Sequence, residues 1–140
     1  MTDITHETTY VSHTGVYRGI PFEIREPFKH YAWVYYVHIS IDRIEDKKLA
    51  ESLWFDPTKT EFGTFYIMPN GVIDEIDFHG GCTYYGKQYG RQGERIVRLG
   101  CDYNHYWDSE NEYSVDWLKN DIRNTIDSIH KLMTFQEIRK

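Results

Sequence analysis

Reactive side chains are concentrated in one stretch of this chain, between residues 78 and 108. The first part of the stretch, residues 78–85, reads FHGGCTYY, and the second part, residues 100–108, reads GCDYNHYWD. Together they contain two histidines, two aspartates, paired glycines and both cysteines of the protein. Hydrophobic packing does not require so many reactive groups so close together, so we place the functional site here.

The two cysteines suggest one kind of metal chemistry. His79-x2-Cys82 and Cys101-x3-His105 have spacings close to those of a structural zinc site, in which thiolates and imidazoles complete a tetrahedron. Both cysteines also fall inside predicted strands, where cysteine is a common buried packing residue. We therefore regard a zinc site of His79, Cys82, Cys101 and His105 as the less favoured interpretation and expect no resident cofactor.

A second interpretation uses carboxylates instead of thiolates. Asp102, His105 and Asp108 are spaced by three, and a hairpin would bring His79 beside them. Such ligands with open positions suit a metal that activates water, and a histidine oriented by an aspartate could instead serve as a general base. The alternative is structural: the aspartates cap turns and His105 bonds to a backbone carbonyl. Both interpretations stay open at this point.

A third interpretation joins charge to aromaticity. Residues 86–98 contain one acidic residue, Glu94, and four basic residues, Lys87, Arg91, Arg95 and Arg98. Residues 102–121 contain six acidic residues and one lysine. Guanidinium groups bind phosphate and aromatic faces stack on a base, so the basic loop predicts nucleotide capture with the neighbouring aromatics Tyr84, Tyr85, Tyr89, Tyr103 and Trp107. The alternative is a solvated surface loop.

The paired glycines Gly80 and Gly81 directly follow a predicted strand. They indicate either a sharp bend or a place where the backbone closely approaches a ligand. No G-x-x-x-x-G-K-[ST], G-x-G-x-x-G or G-x-S-x-G motif occurs in the chain. ATPase, dinucleotide-binding and hydrolase-elbow functions therefore have no support from motifs.

Periodicity predicts the elements that position these residues. Val11 to Tyr17 and Ile20 to Arg25 are expected to form a hairpin that turns at Arg18-Gly19, and Pro21 predicts an edge position for its second strand. Ala32 to Ile41 alternates on both faces and is the expected central strand. His38, on its second face, is interpreted as a core or groove histidine.

The rest of the chain completes an α+β prediction. Asp42 to Phe55 is expected to be a short helix or an ordered loop, and an amphipathic helix is predicted from its N-cap Ser114 to about Met133. The predicted strands are Thr64 to Met68, Val72 to Phe78, Cys82 to Tyr85 and Arg95 to Cys101, with a turn at Pro69-Asn70-Gly71 and a loop from Gly86 to Glu94. The prediction is one domain, residues 1–140, with an antiparallel sheet packed against the long C-terminal helix and flexible ends at 1–10 and 135–140.

Composition narrows the class of protein. The chain has 140 residues, 40% hydrophobic and 27% charged, which is typical of one globular domain, and its aromatic content of 16% favours a sheet or a stacking surface. A net charge of −6 argues against non-specific DNA binding. No apolar run reaches the length of a membrane span and no leader is visible, so we expect a soluble protein that does not contact membranes.

The motifs also carry a resemblance. The pattern H-G-G-x-T-[YF] at His79, followed by G-x-D-x-x-H-x-x-D at Gly100, is similar to a family of small proteins encoded by tailed phages and prophages, as is the segment from Gly15 to Glu23. That family has an aliphatic residue at the position of Cys82 and no cysteine at position 101. The polar set shared with it is His79, Asp102, His105 and Asp108.

The resemblance implies a phage accessory protein in the cytoplasm of the host cell. Such proteins often neutralise host defence by binding, so the expected function is the sequestration of a nucleotide immune signal or the binding of a host defence protein. The alternatives are a metal-dependent hydrolase or nucleotide-processing enzyme and a purely structural interaction module, and self-association into a homo-oligomer stays open. The expected ligand-binding residues are His79, Gly80, Gly81, Tyr84, Arg91, Arg95, Arg98, Asp102, His105, Trp107 and Asp108.

Overall fold

The computed structural model describes residues 11–27, 32–54, 59–60, 63–67 and 72–136, without the side chains of 59–60 and 63–67. It contains a five-stranded antiparallel sheet in the order β1-β2-β3-β7-β6, a two-stranded β4-β5 ribbon and two α-helices. The elements are β1 (Ser12–Tyr17), β2 (Ile20–Arg25), β3 (Val34–Ser40), α1 (Lys47–Trp54), β4 (Lys59–Thr60), β5 (Gly63–Ile67), β6 (Tyr84–Tyr89), β7 (Arg95–Asp102) and α2 (Val115–Leu132). The predicted α+β class with a long C-terminal helix is confirmed.

Strand β3 is the central strand, as predicted, and it separates two unlike faces of the sheet. Tyr35, Val37 and Ile39 are completely buried on the face that the helices pack against, which we call the covered face. Side chains alternate along a strand, so Tyr36 and His38 point to the opposite, open face, where they are half-buried. The cross-strand register adds the other members of the open face, which include Glu23, Arg25, Tyr84 and Arg98.

The β1–β2 hairpin turns at Arg18 and Gly19, as predicted. Both residues have positive φ, 49° and 81°, which is the backbone of a two-residue turn that matches the twist of the strands. The prediction that β2 lies at the edge is wrong, because β1 lies outside it. Pro21 is tolerated because the pairing of β2 with β3 begins only at Phe22, so no β3 residue pairs with the position that lacks an N–H.

Helix α2 closes the covered face. The hydroxyl of Ser114 accepts a hydrogen bond from the backbone N–H of Trp117 at 3.1 Å, so the predicted N-cap is confirmed. The helix buries a stripe at three-to-four spacing against the sheet, comprising Leu118, Ile122, Thr125, Ile126 and Ile129. Burial of this apolar stripe supplies the main force that holds the helix on the sheet.

A buried chain of hydroxyl groups ties the helix, the sheet and the segment before His79 together. The Tyr35 hydroxyl lies 2.7 Å from the Thr125 hydroxyl, which donates to the carbonyl of Asp77 at 2.6 Å. The backbone N–H of His79 donates in turn to the Tyr35 oxygen at 3.3 Å. Burial raises the pKa of Tyr35 well above its usual value, so its hydroxyl keeps the proton that it donates.

The segment from Val72 to Phe78 is not the predicted strand. Val72–Glu75 form one turn of 3₁₀-helix, and Ile73 and Ile76 are both buried. Apolar residues three positions apart fit one face of a helical turn, whereas a strand would put them on opposite faces. The acidic side chains between them are exposed to solvent.

Other boundaries differ from the predictions by a few residues. Residues 41–54 form a 3₁₀ turn followed by α1, and the β6–β7 hairpin closes over residues 90–94 because β6 continues to Tyr89. Phe135 forms a β-bridge with Ile44, so residues 135–136 belong to the folded part of the chain. The predicted turn at Pro69-Asn70-Gly71 and the predicted flexible ends at 1–10 and 137–140 lie outside the described residues. In the described part of the chain, no helix is long and apolar enough to cross a lipid bilayer.

Replacing Thr125 with valine tests the buried hydroxyl chain. The substitution keeps the shape of the side chain but leaves the Tyr35 hydroxyl without its acceptor and the Asp77 carbonyl without its donor. We expect the free energy of unfolding, measured with urea, to fall by about 1–3 kcal/mol. The matched Thr14→Val change on the exposed side of β1 should alter it by less than about 0.5 kcal/mol. Equal stability of the two variants would contradict this role for the hydroxyl chain.

Candidate functional site

Two predicted site histidines, His79 and His105, converge on the carboxylate of a third predicted site residue, Asp108. We call these three residues the His–Asp cluster. His79 Nε2 lies 2.9 Å from Asp108 Oδ1, and His105 Nδ1 lies 2.9 Å from Asp108 Oδ2. A carboxylate can only accept, so both ring nitrogens carry the hydrogen that faces Asp108. The other nitrogens of the two rings, His79 Nδ1 and His105 Nε2, are then the basic ones.

Asp108 is buried but fully satisfied. Besides the two imidazoles, its oxygens accept the Tyr113 hydroxyl and the backbone N–H of His105. Burial raises the pKa of Asp108, but the hydrogen bonds from Tyr113, from the backbone and ring of His105 and from His79 outweigh that effect and lower the pKa to about 2. Asp108 is therefore an ionised carboxylate that orients two histidines.

Aromatic stacking and the buried hydroxyl chain hold the two imidazoles in place. The His79 ring stacks on Tyr103 with centroids 3.8 Å apart, and the His105 ring stacks on Trp107 at 4.5 Å. The Tyr103 hydroxyl donates to Asp121, whose carboxylate lies 3.9 Å from His79 Nδ1. Both histidines keep about a fifth of their side-chain surface exposed, 17% and 19%, so solvent reaches the cluster.

Gly80, the first of the paired glycines, leaves space for the His105 ring of the cluster. Gly80 has a φ of +68°, and a Cβ atom on it would lie 2.4 Å from Cε1 of His105. A side chain at this position is therefore excluded both by the backbone conformation and by the packed ring. Gly81 has a φ of +96° and an open surrounding. Of the two predicted reasons for glycine here, the bend is observed, and the close approach is that of the protein's own His105.

Asp102 does not join the cluster. Its carboxylate accepts the backbone N–H of Asn104 at 3.1 Å and lies 3.4 Å from the Thr83 hydroxyl, and its position in β7 alternates with the buried Cys101. Its side chain therefore points to the open face. Its hydrogen bond with the N–H of Asn104 fits the interpretation that the aspartates cap turns. Of the three residues predicted to share one pocket, His79 and His105 lie together around Asp108 and Asp102 points away from them.

The cysteines do not form a zinc site with the histidines. Cys101 is buried on the covered face, and burial strongly raises the pKa of its thiol, so it is not a ready thiolate ligand. The thiol of Cys82 donates to the carbonyl of Tyr84. Within the described residues, the group of side chains able to hold a metal ion is His79, His105 and Asp108, and it contains neither cysteine.

The basic residues of the predicted loop do not act together. Arg91 is exposed in the β6–β7 turn, and Arg95 is paired with Asp42 at 2.9 Å and with Glu51 at 3.1 Å. Arg98 alone of the three lies on the open face. Tyr85 and Tyr103, two of the aromatics expected to stack on a ligand, are buried in the core instead.

Arg98 lies among aromatic rings of the open face. Its guanidinium carbon is 4.4 Å from the centre of the Tyr36 ring and 4.9 Å from that of Tyr84, and Nη2 donates to the Tyr84 hydroxyl at 2.8 Å. Arg25 approaches Tyr36 at 4.9 Å. The Nε atom of Arg98 is buried and has no hydrogen-bond partner among the described residues. A buried unsatisfied donor is rare and requires an explanation.

The rings of Tyr36 and Tyr84 pack against the backbone of two glycines, Gly100 and Gly86. A Cβ atom on Gly100 would be 2.4 Å from Cδ1 of Tyr36, and one on Gly86 would be 2.9 Å from the Tyr84 hydroxyl oxygen. The tyrosine rings therefore lie against bare backbone, and the two rings meet edge to face with centroids 5.1 Å apart. The open face therefore carries aromatic rings and a guanidinium group in direct contact.

A groove of about 560 Å³ continues this surface toward β1. Its lining includes apolar side chains, Val16, Pro21 and Ile96, and it also contains His38 and Glu23. His38 pairs directly across the sheet with Arg98. Burial and the neighbouring guanidinium groups lower the pKa of His38. The sequence prediction did not include Arg25, Tyr36 and His38 among its candidate site residues, although the alternation in β3 already placed Tyr36 and His38 on one face.

A larger depression of about 670 Å³ lies between the β1–β2 turn and α2. Two of its charged groups are paired with each other, Arg18 and Asp127 at 2.8 Å, and the His130 ring bonds to the carbonyl of Arg18. No protein-family model, curated protein or solved structure matches the chain.

The lowered pKa of Asp108 predicts how stability depends on acid. The cluster favours the ionised carboxylate, so its contribution is fully present above the unfolded pKa near 4 and is lost as the pH falls toward 2. The loss should amount to about 2 kcal/mol in the free energy of unfolding. An Asp108→Asn variant should lack this part of the acid dependence, whereas a variant of the exposed Asp74, Asp74→Asn, should keep it. An Asp108→Asn variant with the acid dependence of the wild type would contradict the assignment.

Proposed function

We propose that the protein binds an anionic, base-containing small molecule of the nucleotide type on the open face of its sheet, without converting it. The observation that carries the proposal is the guanidinium of Arg98, which lies against two tyrosine rings with its buried Nε lacking a partner. Guanidinium groups form charge-assisted hydrogen bonds with phosphate oxygens, and the guanidinium of Arg98 has hydrogen-bonding capacity that the protein does not use. The rings beside it provide the stacking surface that a base requires.

We assign different parts of the open face to different parts of the ligand. The apolar lining of the groove suits a base or a sugar face, and the guanidinium groups of Arg98 and Arg25 suit phosphate. Glu23 lies 3.0 Å from Arg25 and is the counter-charge of this surface. The open face also carries the carboxylate of Asp102, so phosphate binding depends on the two guanidinium groups themselves and not on a net positive charge.

The separation of the two chemical regions supports binding without conversion. The His–Asp cluster stacks on Tyr103, which packs against Tyr35 of the covered face, whereas Arg98 and Tyr36 belong to the open face. A ligand seated on the open face is therefore separated from the two histidines by the sheet. Together with the resemblance to phage accessory proteins, this supports a stoichiometric binder that sequesters a nucleotide immune signal in the host cytoplasm.

A ligand-release experiment tests the proposal. The purified protein is incubated with cyclic AMP, cyclic di-AMP and ADP-ribose, separated from free nucleotide, denatured, and the released compounds are identified by mass spectrometry. We expect one of them to be recovered intact at about one equivalent per chain. Absence of binding to every compound would contradict the nucleotide proposal and favour a protein partner docked on the same tyrosines.

Replacing Arg98 with alanine should weaken that binding by at least about 10-fold, because a charge-assisted hydrogen bond contributes about 1.5–3 kcal/mol. The matched Arg91→Ala variant removes the same charge from the exposed β6–β7 turn and should bind as the wild type does. Isothermal titration calorimetry compares the two. Equal weakening in both variants would show a general charge effect, and no weakening in either would remove the open face from the site.

The second candidate function is a metal-dependent hydrolase or nucleotide-processing enzyme. The observation that favours it is the convergence of His79 and His105 on Asp108, with Asp102 left outside. The ligand-release experiment separates the two functions. Altered product formed by substoichiometric protein supports the enzyme, and intact ligand at one equivalent supports capture.

A further inference from the structure

The His–Asp cluster has a donor set that the proposed nucleotide binding does not use. The candidate ligand atoms of His79, His105 and Asp108 all lie within 4.8 Å of one another. The carboxylate is buried and the two imidazoles are partly exposed, so the cluster is organised but reachable from solvent. This combination differs from a solvated acidic patch, in which no ligand atom is held in place.

We propose that the His–Asp cluster is a binding site for a divalent first-row transition metal ion, with Zn²⁺ as the representative ion. The ligands are His79 Nε2, His105 Nδ1 and a carboxylate oxygen of Asp108. Two imidazoles and one carboxylate suit zinc and its neighbours, whereas magnesium and calcium prefer sites made of oxygen alone. Three protein ligands leave a coordination position for water.

Metal binding requires two proton shifts, and the structure places a carboxylate near one of the two shifted hydrogens. In the metal-free cluster both neutral imidazoles carry the hydrogen that faces Asp108. The metal takes the lone pairs at these two atoms, so each proton moves through solvent to the other nitrogen of its ring, with no net release from neutral histidine. The shifted hydrogen of His79, on Nδ1, faces Asp121 Oδ2 at 3.9 Å, and Nε2 of His105 carries the other.

Supporting groups around the ligands are already in place. The Tyr113 hydroxyl and the backbone N–H of His105 continue to hold the Asp108 carboxylate after the imidazole hydrogens have left it. Asp121 also accepts the hydroxyl of Tyr103, the residue on which His79 stacks. Partners of this kind orient metal ligands and increase affinity.

The local charge also favours a cation. Of the six acidic side chains between residues 102 and 121, Asp108 belongs to the cluster and Asp121 lies 3.9 Å from His79 Nδ1, so the nearest carboxylates favour a cation. The same charge disfavours a phosphate ligand at this place. To surround zinc tetrahedrally at bond lengths of about 2.0–2.1 Å, the ligand atoms must lie about 3.3 Å from one another. The two nitrogen–oxygen distances of 2.9 Å must therefore open, and the longer separations within the cluster, up to 4.8 Å, must close.

Zinc titration tests the site directly. The full-length protein is treated with chelator, dialysed and titrated with ZnCl₂ by isothermal titration calorimetry, and Co²⁺ is added in a parallel absorption experiment. We expect one equivalent of Zn²⁺ per chain and a visible d–d spectrum for the Co²⁺ form. Metal at about 100 μM is on the order of the dissociation constants of weak adventitious sites. If the protein gives neither the calorimetric signal nor the Co²⁺ spectrum at this concentration, the proposal is overturned.

Two matched variants separate ligation from folding. His105→Asn keeps an N–H near the position of Nδ1 that can still donate to Asp108, but it removes the ring lone pair, so Zn²⁺ affinity should fall at least about 10-fold while the thermal unfolding midpoint stays near that of the wild type. His130→Ala removes a histidine outside the cluster and should bind Zn²⁺ as the wild type does. Unchanged Zn²⁺ affinity in His105→Asn, or an equal loss in His130→Ala, would overturn the proposal. Either result leaves nucleotide binding on the open face unaffected.

Discussion

The buried hydroxyl pair of Tyr35 and Thr125 is the interaction on which the arrangement of this protein depends. It links the central strand to helix α2, and through Asp77 and the backbone of His79 it fixes the segment that enters the His–Asp cluster. This segment contains only a short 3₁₀ turn, so it has no sheet ladder of its own to determine its position. Buried polar groups must find partners, and here that requirement places the first imidazole of the cluster.

Strand alternation then separates the chemistry into two regions. Tyr35 and Tyr36 are neighbours in sequence, yet one supports the His–Asp cluster through the core and the other forms the open face with Arg98. The same division applies in β7, where Cys101 is buried and Asp102 points to the opposite side. The open face, with guanidinium groups beside aromatic rings, and the cluster, with its ionised carboxylate, therefore suit ligands of opposite charge.

The fold was largely predictable because the strongest periodicities belong to β3 and α2, whose burial decides the architecture. The strand predicted at Val72 to Phe78 failed because Ile73 and Ile76, three residues apart, lie on one face of a helical turn and not on one face of a strand. The site was predictable only in part. His79, His105 and Asp108 were close candidates by spacing, but pairing between β3 and β7 brings Arg98 to Tyr36 and His38, and sequence spacing contains no information on that register.

The central claim is that the open face of the sheet, and not the His–Asp cluster, holds an anionic ligand that contains a base. A crystal structure of the protein soaked with ADP-ribose tests this claim most directly. The account predicts a base stacked on Tyr36 or Tyr84 and a phosphate oxygen within about 3 Å of a guanidinium nitrogen of Arg98. A nucleotide bound at His79 and His105, with Nε of Arg98 still buried and unpaired, would contradict it.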